Sequence, residues 1–245
     1  MSKWVLVTGA AQRIGRAIAL ELAAAGWNVA LHYNRSADEA AKTAEKIKAL
    51  KCEAHLVKTD FTNKRQTEDC IPSLIKEIGP LAALVNNASL FEPDSSAPGG
   101  HDHKSINLEA PLILTEAFRK QLPKGVVGAV VNILDSCPPP SGFNAYAQSK
   151  KSLRVMTIEQ ARRLAPEVRV NGIAPGPVLP NARQTAAHHK KLIGSTLLQT
   201  EITPESVASA VRFLIENPSI TGEVLHIDGG VRLQNTPSMS RAMAS

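Results

Sequence analysis

Tyr146 and Lys150 stand four positions apart in the segment Tyr146-Ala147-Gln148-Ser149-Lys150. On a helix, residues at i and i+4 share one face. A phenol has a pKa near 10 and is a poor acid–base group at neutral pH. A neighbouring ammonium stabilises the phenolate and lowers that pKa, which makes the pair a candidate proton donor for a reduction. A second segment is Thr8-Gly9-Ala10-Ala11-Gln12-Arg13-Ile14-Gly15. Gly9 can take backbone angles that a side chain forbids, and Gly15 permits close approach. The N-terminus of a following helix offers free N–H groups and a positive dipole end to a pyrophosphate. The spacing departs from G-x-G-x-x-G, and Arg13 stands in place of a middle glycine. Together the two segments read as a nicotinamide oxidoreductase.

Further polar residues extend this reading. The second apolar run ends in Asn34-Arg35-Ser36, where an NAD-preferring site carries Asp or Glu. A guanidinium flanked by small polar residues would pair with a 2′-phosphate, so the expected cofactor is NADP(H). Asp60 and Phe61 follow the third run, where an adenine edge would lie. Asn86-Asn87-Ala88-Ser89 follows the fourth and could pin the sheet and line the cofactor ribose. Asn107 could hold a water that refills the proton path, and Lys150 could also hold the nicotinamide ribose.

These residues need a scaffold. Short apolar runs alternate with helical stretches: strands at 4–7, 29–33, 54–57, 81–85, 126–134, 168–173 and 223–227, and helices at 14–25, 38–50, 64–78, 105–121, 145–164 and 205–215. Ser36 is a candidate cap of the second helix. The alternation predicts an α/β fold, a doubly wound parallel sheet covered on both faces. Ligands in such sheets lie at the carboxyl ends of the strands. Residues 1–235 are expected to form a single domain, with a polar C-terminal tail over 236–245. Arg183 to Leu198 lies between the last two strands and is a candidate mobile lid or an ordinary surface helix pair.

Composition narrows the function classes. The chain has 245 residues, 43% of them hydrophobic and 20% charged, as expected for a soluble globular protein. No apolar run is long enough for a membrane span. No leader precedes the first strand, which points to the cytoplasm. Cys52, Cys70 and Cys137 are scattered, with neither metal nor disulfide spacing. The net charge of +6 is dispersed rather than gathered in an arginine-rich tail, so anionic cofactors and substrates are expected, not nucleic acid.

An ordered set of segments resembles the short-chain dehydrogenase/reductase family over nearly the whole chain. The set comprises Thr8-Gly9, Asn86-Asn87-Ala88, Asn107, Tyr146 with Lys150, Asn171-Gly172, Pro175-Gly176, Thr221-Gly222 and Asp228-Gly229-Gly230. The resemblance implies one Rossmann domain with a seven-stranded parallel sheet, usually assembled as a homotetramer. It also implies cofactor contacts at Ile14, Ala88, Ser89, Pro175 and Gly176. Within the family the chain is most similar to the pteridine reductases and the bacterial dihydromonapterin/dihydrofolate reductases. The shared features are Arg13, His32-Tyr33-Asn34-Arg35-Ser36 and Asn86 to Phe91, with Asp135 where most members carry a catalytic Ser. In such reductases the aromatic matching Phe91 stacks on the pterin and the residue matching Ser89 hydrogen-bonds the ring. The arginine matching Arg13 reaches both cofactor phosphate and substrate, and Phe143 and Tyr146 complete the substrate face. A flat polar heterocycle needs such an aromatic face and edge donors.

One departure matters. Asp135 and Tyr146 are eleven positions apart, two fewer than is usual, with Pro138, Pro139 and Pro140 between them. Ser136 is therefore a rival for the catalytic Ser position. An Asp135 facing the tyrosine would donate a hydrogen bond only when protonated, which needs a pKa raised by burial. Three activities remain: reduction of a pterin or dihydrofolate, reduction of a carbonyl such as a 3-oxoacyl thioester, and NADPH binding without turnover.

Overall fold

The computed structural model describes residues 3–96, 101–137, 140–180 and 185–234. The apolar runs become parallel strands: β1 Trp4–Val7, β2 Asn28–Tyr33, β3 Ala54–Lys58, β4 Leu81–Asn86, β5 Gly128–Ile133, β6 Val168–Pro175 and β7 Val224–Ile227. They form one seven-stranded sheet in the order β3-β2-β1-β4-β5-β6-β7. The central strands are buried on both faces, as parallel strands must be when helices cover both sides.

The period-two alternation of β1 sorts its side chains between two cores. Val5 and Val7 face the helices α1 (Arg13–Ala24), α2 (Ala37–Ala49) and α8 (Pro204–Glu216). Trp4 and Leu6 face α3 (Lys64–Ile78), α5 (Ala110–Gln121) and α6 (Asn144–Leu164). The order reverses between β1 and β4, with Val7 paired to Leu31 on one side and Val85 on the other. That switch point opens a crevice at the strands' carboxyl ends, where the chemistry-bearing segments emerge.

Several details differ from the sequence reading. Strand β5 starts at Gly128, because Val126 belongs to a turn closed by its N–H on the Pro123 carbonyl. The helix expected from Ser105 starts earlier, as α4 (His101–Lys104), and passes through a wide π turn at Ser105–Glu109 before α5. Such turns concentrate at functional sites. Ser36 occupies the N-cap position of α2, yet its side chain makes no capping bond. In the candidate lid, Ala186–Gly194 forms the helix α7, with no buried residue; Arg183 lies outside the described residues, as do Pro138, Pro139 and the tail 236–245.

Candidate active site

The turn after β1 is built around missing side chains. Gly9 has φ +62°, and a Cβ on Gly15 would lie 2.1 Å from the Gly9 carbonyl oxygen and 2.5 Å from Asn87 Nδ2. Only glycine lets α1 start this close to the turn. Arg13 also takes a left-handed conformation, φ +56°, which costs a residue with a Cβ on the order of 1–2 kcal/mol. Its guanidinium compensates by bridging to the next crossover, with Nη1 donating to the Pro180 carbonyl (3.0 Å) and Nη2 to that of Leu179 (3.2 Å). Arg13 thus ties the turn to the chain leaving β6, past Pro175 and Gly176.

The switch point is cross-linked by polar groups. Thr8 Oγ1 accepts the N–H groups of Asn87 and Ala88, each at 2.9 Å. Asn87 Nδ2 donates back to the carbonyls of Thr8 (2.9 Å) and Gly9 (3.1 Å), so its amide braces the turn. Asn86 donates to Asn132 (2.8 Å), which donates to Thr157 (2.9 Å), pinning β4, β5 and α6 together. Ser89, Arg35 and Arg13 are exposed along the same rim, and Asn34, Ser36, Asp60 and Ile14 are half-buried.

His32 is a residue of this rim to which sequence reasoning assigned no role of its own. Gly9 N–H donates to its Nδ1 (3.0 Å), so the proton must sit on Nε2, which donates to the Thr59 carbonyl (3.0 Å). The ring stacks on Phe61, centroids 4.1 Å apart. Phe61 is accordingly buried, its ring supporting His32, rather than laid open at an adenine edge. The signal was the buried histidine at the end of a strand that must brace the turn; spacing alone did not mark it. Burial pulls the His32 pKa down to about 4, against the opposing pull of the Thr59 carbonyl and Asp60. The neutral imidazole therefore contributes stability that is present above the ordinary histidine pKa and lost as pH falls from about 6.5 towards 4. The shift amounts to on the order of 3 kcal/mol. His32→Asn is expected to flatten the loss of thermal stability between pH 7 and 4.5; parallel melting curves for both proteins would contradict this.

The catalytic candidates converge on the other side of the crevice. Helix α6 buries Tyr146, Ser149, Lys150, Leu153 and Thr157 along one stripe, so Tyr146 and Lys150 share a face. Tyr146 Oη donates to Asp135 Oδ2 at 2.5 Å. The other carboxyl oxygen accepts the Cys137 N–H at 2.7 Å. Ser136 turns away: its hydroxyl donates to the Ala174 carbonyl (3.0 Å) and meets His226 Nδ1 (2.8 Å). Asp135, not Ser136, faces the tyrosine.

Electrostatics here reverse one expectation. Dense packing pushes the Asp135 carboxyl above its ordinary range, against the hydrogen bonds from Tyr146 and Cys137 and the charge of Lys150. Tyr146 is pushed well above 10, not below it, by burial and by the Asp135 charge. Lys150 does not relieve it, because Nζ donates to the Ile133 carbonyl (2.9 Å) and sits 6.0 Å from the phenol ring centroid. Desolvation lowers Lys150 itself to about 8, so it still carries charge at neutral pH.

The Asn107 side chain joins two elements. Its Oδ1 accepts Leu90 N–H (2.7 Å), and Nδ2 donates to the Leu90 carbonyl and to Ser149 Oγ (each 3.0 Å). Both amide protons are committed, and the group fastens the loop after β4 to α6. That loop presents Phe91, stacked on Phe143 (centroids 4.6 Å) and edge-on to Tyr146 (4.7 Å). One Phe91 face is therefore already covered by Phe143. Among the described residues no group of three or more His, Cys, Asp or Glu could hold a metal, and no helix is long and apolar enough to cross a membrane.

Residues 3–191 match the short chain dehydrogenase family. Among solved structures, the chain is similar to FolM alternative dihydrofolate reductase 1 from Brucella canis, a complex with NADP, at 38% identity and a TM-score of 0.88 over 97% of each chain. Pteridine reductase 1 of Leishmania tarentolae is 30% identical, over 93% of this chain and 96% of that one. A 3-oxoacyl-[acyl-carrier-protein] reductase, FabG of Staphylococcus epidermidis, is 28% identical over 94% and 99%. With its fold, its turn and its Tyr/Lys helix on one pattern, the chain belongs to the short chain dehydrogenase family of nicotinamide-dependent oxidoreductases.

Proposed function

We propose that the protein is an NADPH-dependent reductase of a pterin or dihydrofolate-like ring. The observation that carries this reading is the pairing of Asp135 with Tyr146, whose ring meets Phe91 of the Phe91–Phe143 stack edge-on. A flat heterocycle needs an aromatic partner and a proton donor, and here the two stand in one contact. The similarity to FolM and pteridine reductase 1 supports the same reading.

The residues fit the cofactor. The left-handed turn at Gly9, and the start of α1 that the missing Cβ of Gly15 lets pack against that turn, suit a pyrophosphate. Arg35, exposed after β2, suits a 2′-phosphate, and Arg13 could exchange its backbone carbonyls for a phosphate or the substrate. Asn34, Ser36 and Asp60 would line the adenosine end, and Asn87, Ala88, Ser89, Pro175 and Gly176 would lie along the nicotinamide end. Bound there, the reduced nicotinamide supplies a hydride.

The chain's own residues handle the proton. Beside an ionised Asp135 the Tyr146 proton points at Oδ2; once Asp135 is protonated the bond reverses, so that Tyr146 Oη gives its proton to the substrate and Asp135 donates to the phenolate oxygen left behind. Lys150 keeps a positive charge beside this pair, and Asn107 holds the substrate loop against α6. We further propose a cytoplasmic homotetramer, on the family resemblance and on three free cysteines.

The test is NADPH oxidation with dihydrobiopterin, dihydromonapterin and dihydrofolate, with acetoacetyl thioester in parallel and NADH as the cofactor control. Turnover of a pterin ring with NADPH is the expected result. Turnover of the thioester alone would favour the carbonyl reductase reading, for which the FabG similarity speaks. NADPH binding without any turnover would leave a binding protein.

A further inference from the structure

The loop carrying Phe91 is fastened to α6 at two points, and only one uses a residue of the catalytic set. At the near point Asn107 holds Leu90. At the far point Asp94 reaches across to the start of α6. Its Oδ2 accepts the Asn144 N–H (3.0 Å) and its Oδ1 the Ala145 N–H (3.1 Å). In return the Asp94 N–H donates to the Gly142 carbonyl (2.8 Å).

The first N–H groups of a helix have no partner within it, and a carboxylate there both accepts them and complements the dipole. Phe143, at the N-cap position of α6, has no side-chain oxygen to do this. The helix that carries Tyr146 therefore takes its cap from another loop. The two backbone bonds from α6 hold the Asp94 carboxyl below its ordinary range, with His103 of α4 as an attractive neighbour. Between the two fastenings lies Phe91, against Phe143 and Tyr146.

We propose that Asp94 is a positioning residue that latches the Phe91 loop onto α6 and so holds the Phe91 ring in register with Tyr146, the edge-on pair beside which a flat ring would dock. The identity of that ring rests on the pterin reading; the latch does not. Without the latch the loop gains freedom, a planar substrate loses its fixed aromatic contact, and the proton-donating group itself stays intact. A flexible acyl chain, which needs no such aromatic contact, would be little affected.

The experiment compares the full-length protein with Asp94→Ala and Asp94→Asn, the second keeping one carbonyl acceptor. Amide exchange at Asn144 and Ala145 is expected to rise about tenfold in Asp94→Ala, the size of effect that follows loss of a helix cap, and less in Asp94→Asn. KM for the dihydropterin is expected to rise about tenfold, with kcat and the NADPH Kd little changed and KM for acetoacetyl thioester unmoved. Unchanged amide protection would overturn the latch, as would lost protection with an unchanged pterin KM. A general loss of NADPH binding and of thermal stability would reduce Asp94 to a folding residue and overturn it too. If the wild-type protein turns over no dihydropterin, the substrate reading falls, and the latch stands or falls on the exchange result.

Discussion

Replacing Tyr146 by Phe is expected to lower kcat for a dihydropterin by about 10²–10⁴-fold, the usual contribution of a positioned general acid. The substitution keeps the ring, so the edge-on contact with Phe91 and the packing of the buried stripe on α6 persist. Only the Oη that donates to Asp135 is removed. NADPH affinity, measured by quenching or enhancement of cofactor fluorescence, should therefore stay within about threefold of wild type, while single-turnover reduction nearly stops. A variant that turns over at the wild-type rate would remove Tyr146 from the chemistry. A variant that loses NADPH affinity instead would make the phenol a cofactor contact.

Asp135→Asn is expected to change the shape of the pH profile more than its height. In the wild type a protonated Asp135 can donate to the tyrosine oxygen as Tyr146 gives up its proton. An ionised Asp135 cannot, and its charge opposes formation of the phenolate. The rate should therefore fall as pH rises through the Asp135 pKa, which burial has moved above the ordinary carboxylate range. Above that pKa the fall is about tenfold per pH unit for one proton. The side-chain amide introduced by the substitution would donate at every pH, so that limb should disappear. Stability follows the same sign: a carboxyl with a raised folded-state pKa contributes stability below its ordinary pKa and loses it as pH rises through the folded value. Asp135→Asn should thus gain thermal stability relative to wild type at pH 8 and not near pH 4. Superimposable pH profiles for the two proteins would show that Asp135 takes no part in the proton transfer.

Some parts of this site could be read in one dimension because the physics there is local. The Gly9 and Gly15 spacing announces a turn that backbone must approach closely, and an i, i+4 pair must share a helix face. The alternation of apolar runs with amphipathic stretches leaves few alternatives to a parallel, doubly wound sheet. Strand β6 ran two residues longer and β5 began two residues later than expected, because strand ends depend on pairing with neighbours rather than on their own composition.

Other parts depended on which groups meet across long sequence separations. His32 braces Gly9 and Thr59, Asp94 caps α6, and Arg13 reaches Leu179 and Pro180; each contact spans from 23 to 167 positions. No spacing rule encodes such pairs, since they arise only when the sheet brings loop ends together. The same applies to the sign of the Tyr146 shift. Residue types alone suggest that Lys150 lowers the phenol pKa. The fold aims the ammonium at the Ile133 carbonyl and Asp135 at the phenol, so burial and a carboxylate raise it instead. The sequence by itself determined the fold class, the glycine turn and the pairing of Tyr146 with Lys150, because these follow from backbone sterics and helical periodicity. Tertiary structure alone decided that Asp135 rather than Ser136 faces the tyrosine, and which way each proton is pulled, because both depend on a few ångströms of packing around buried charges.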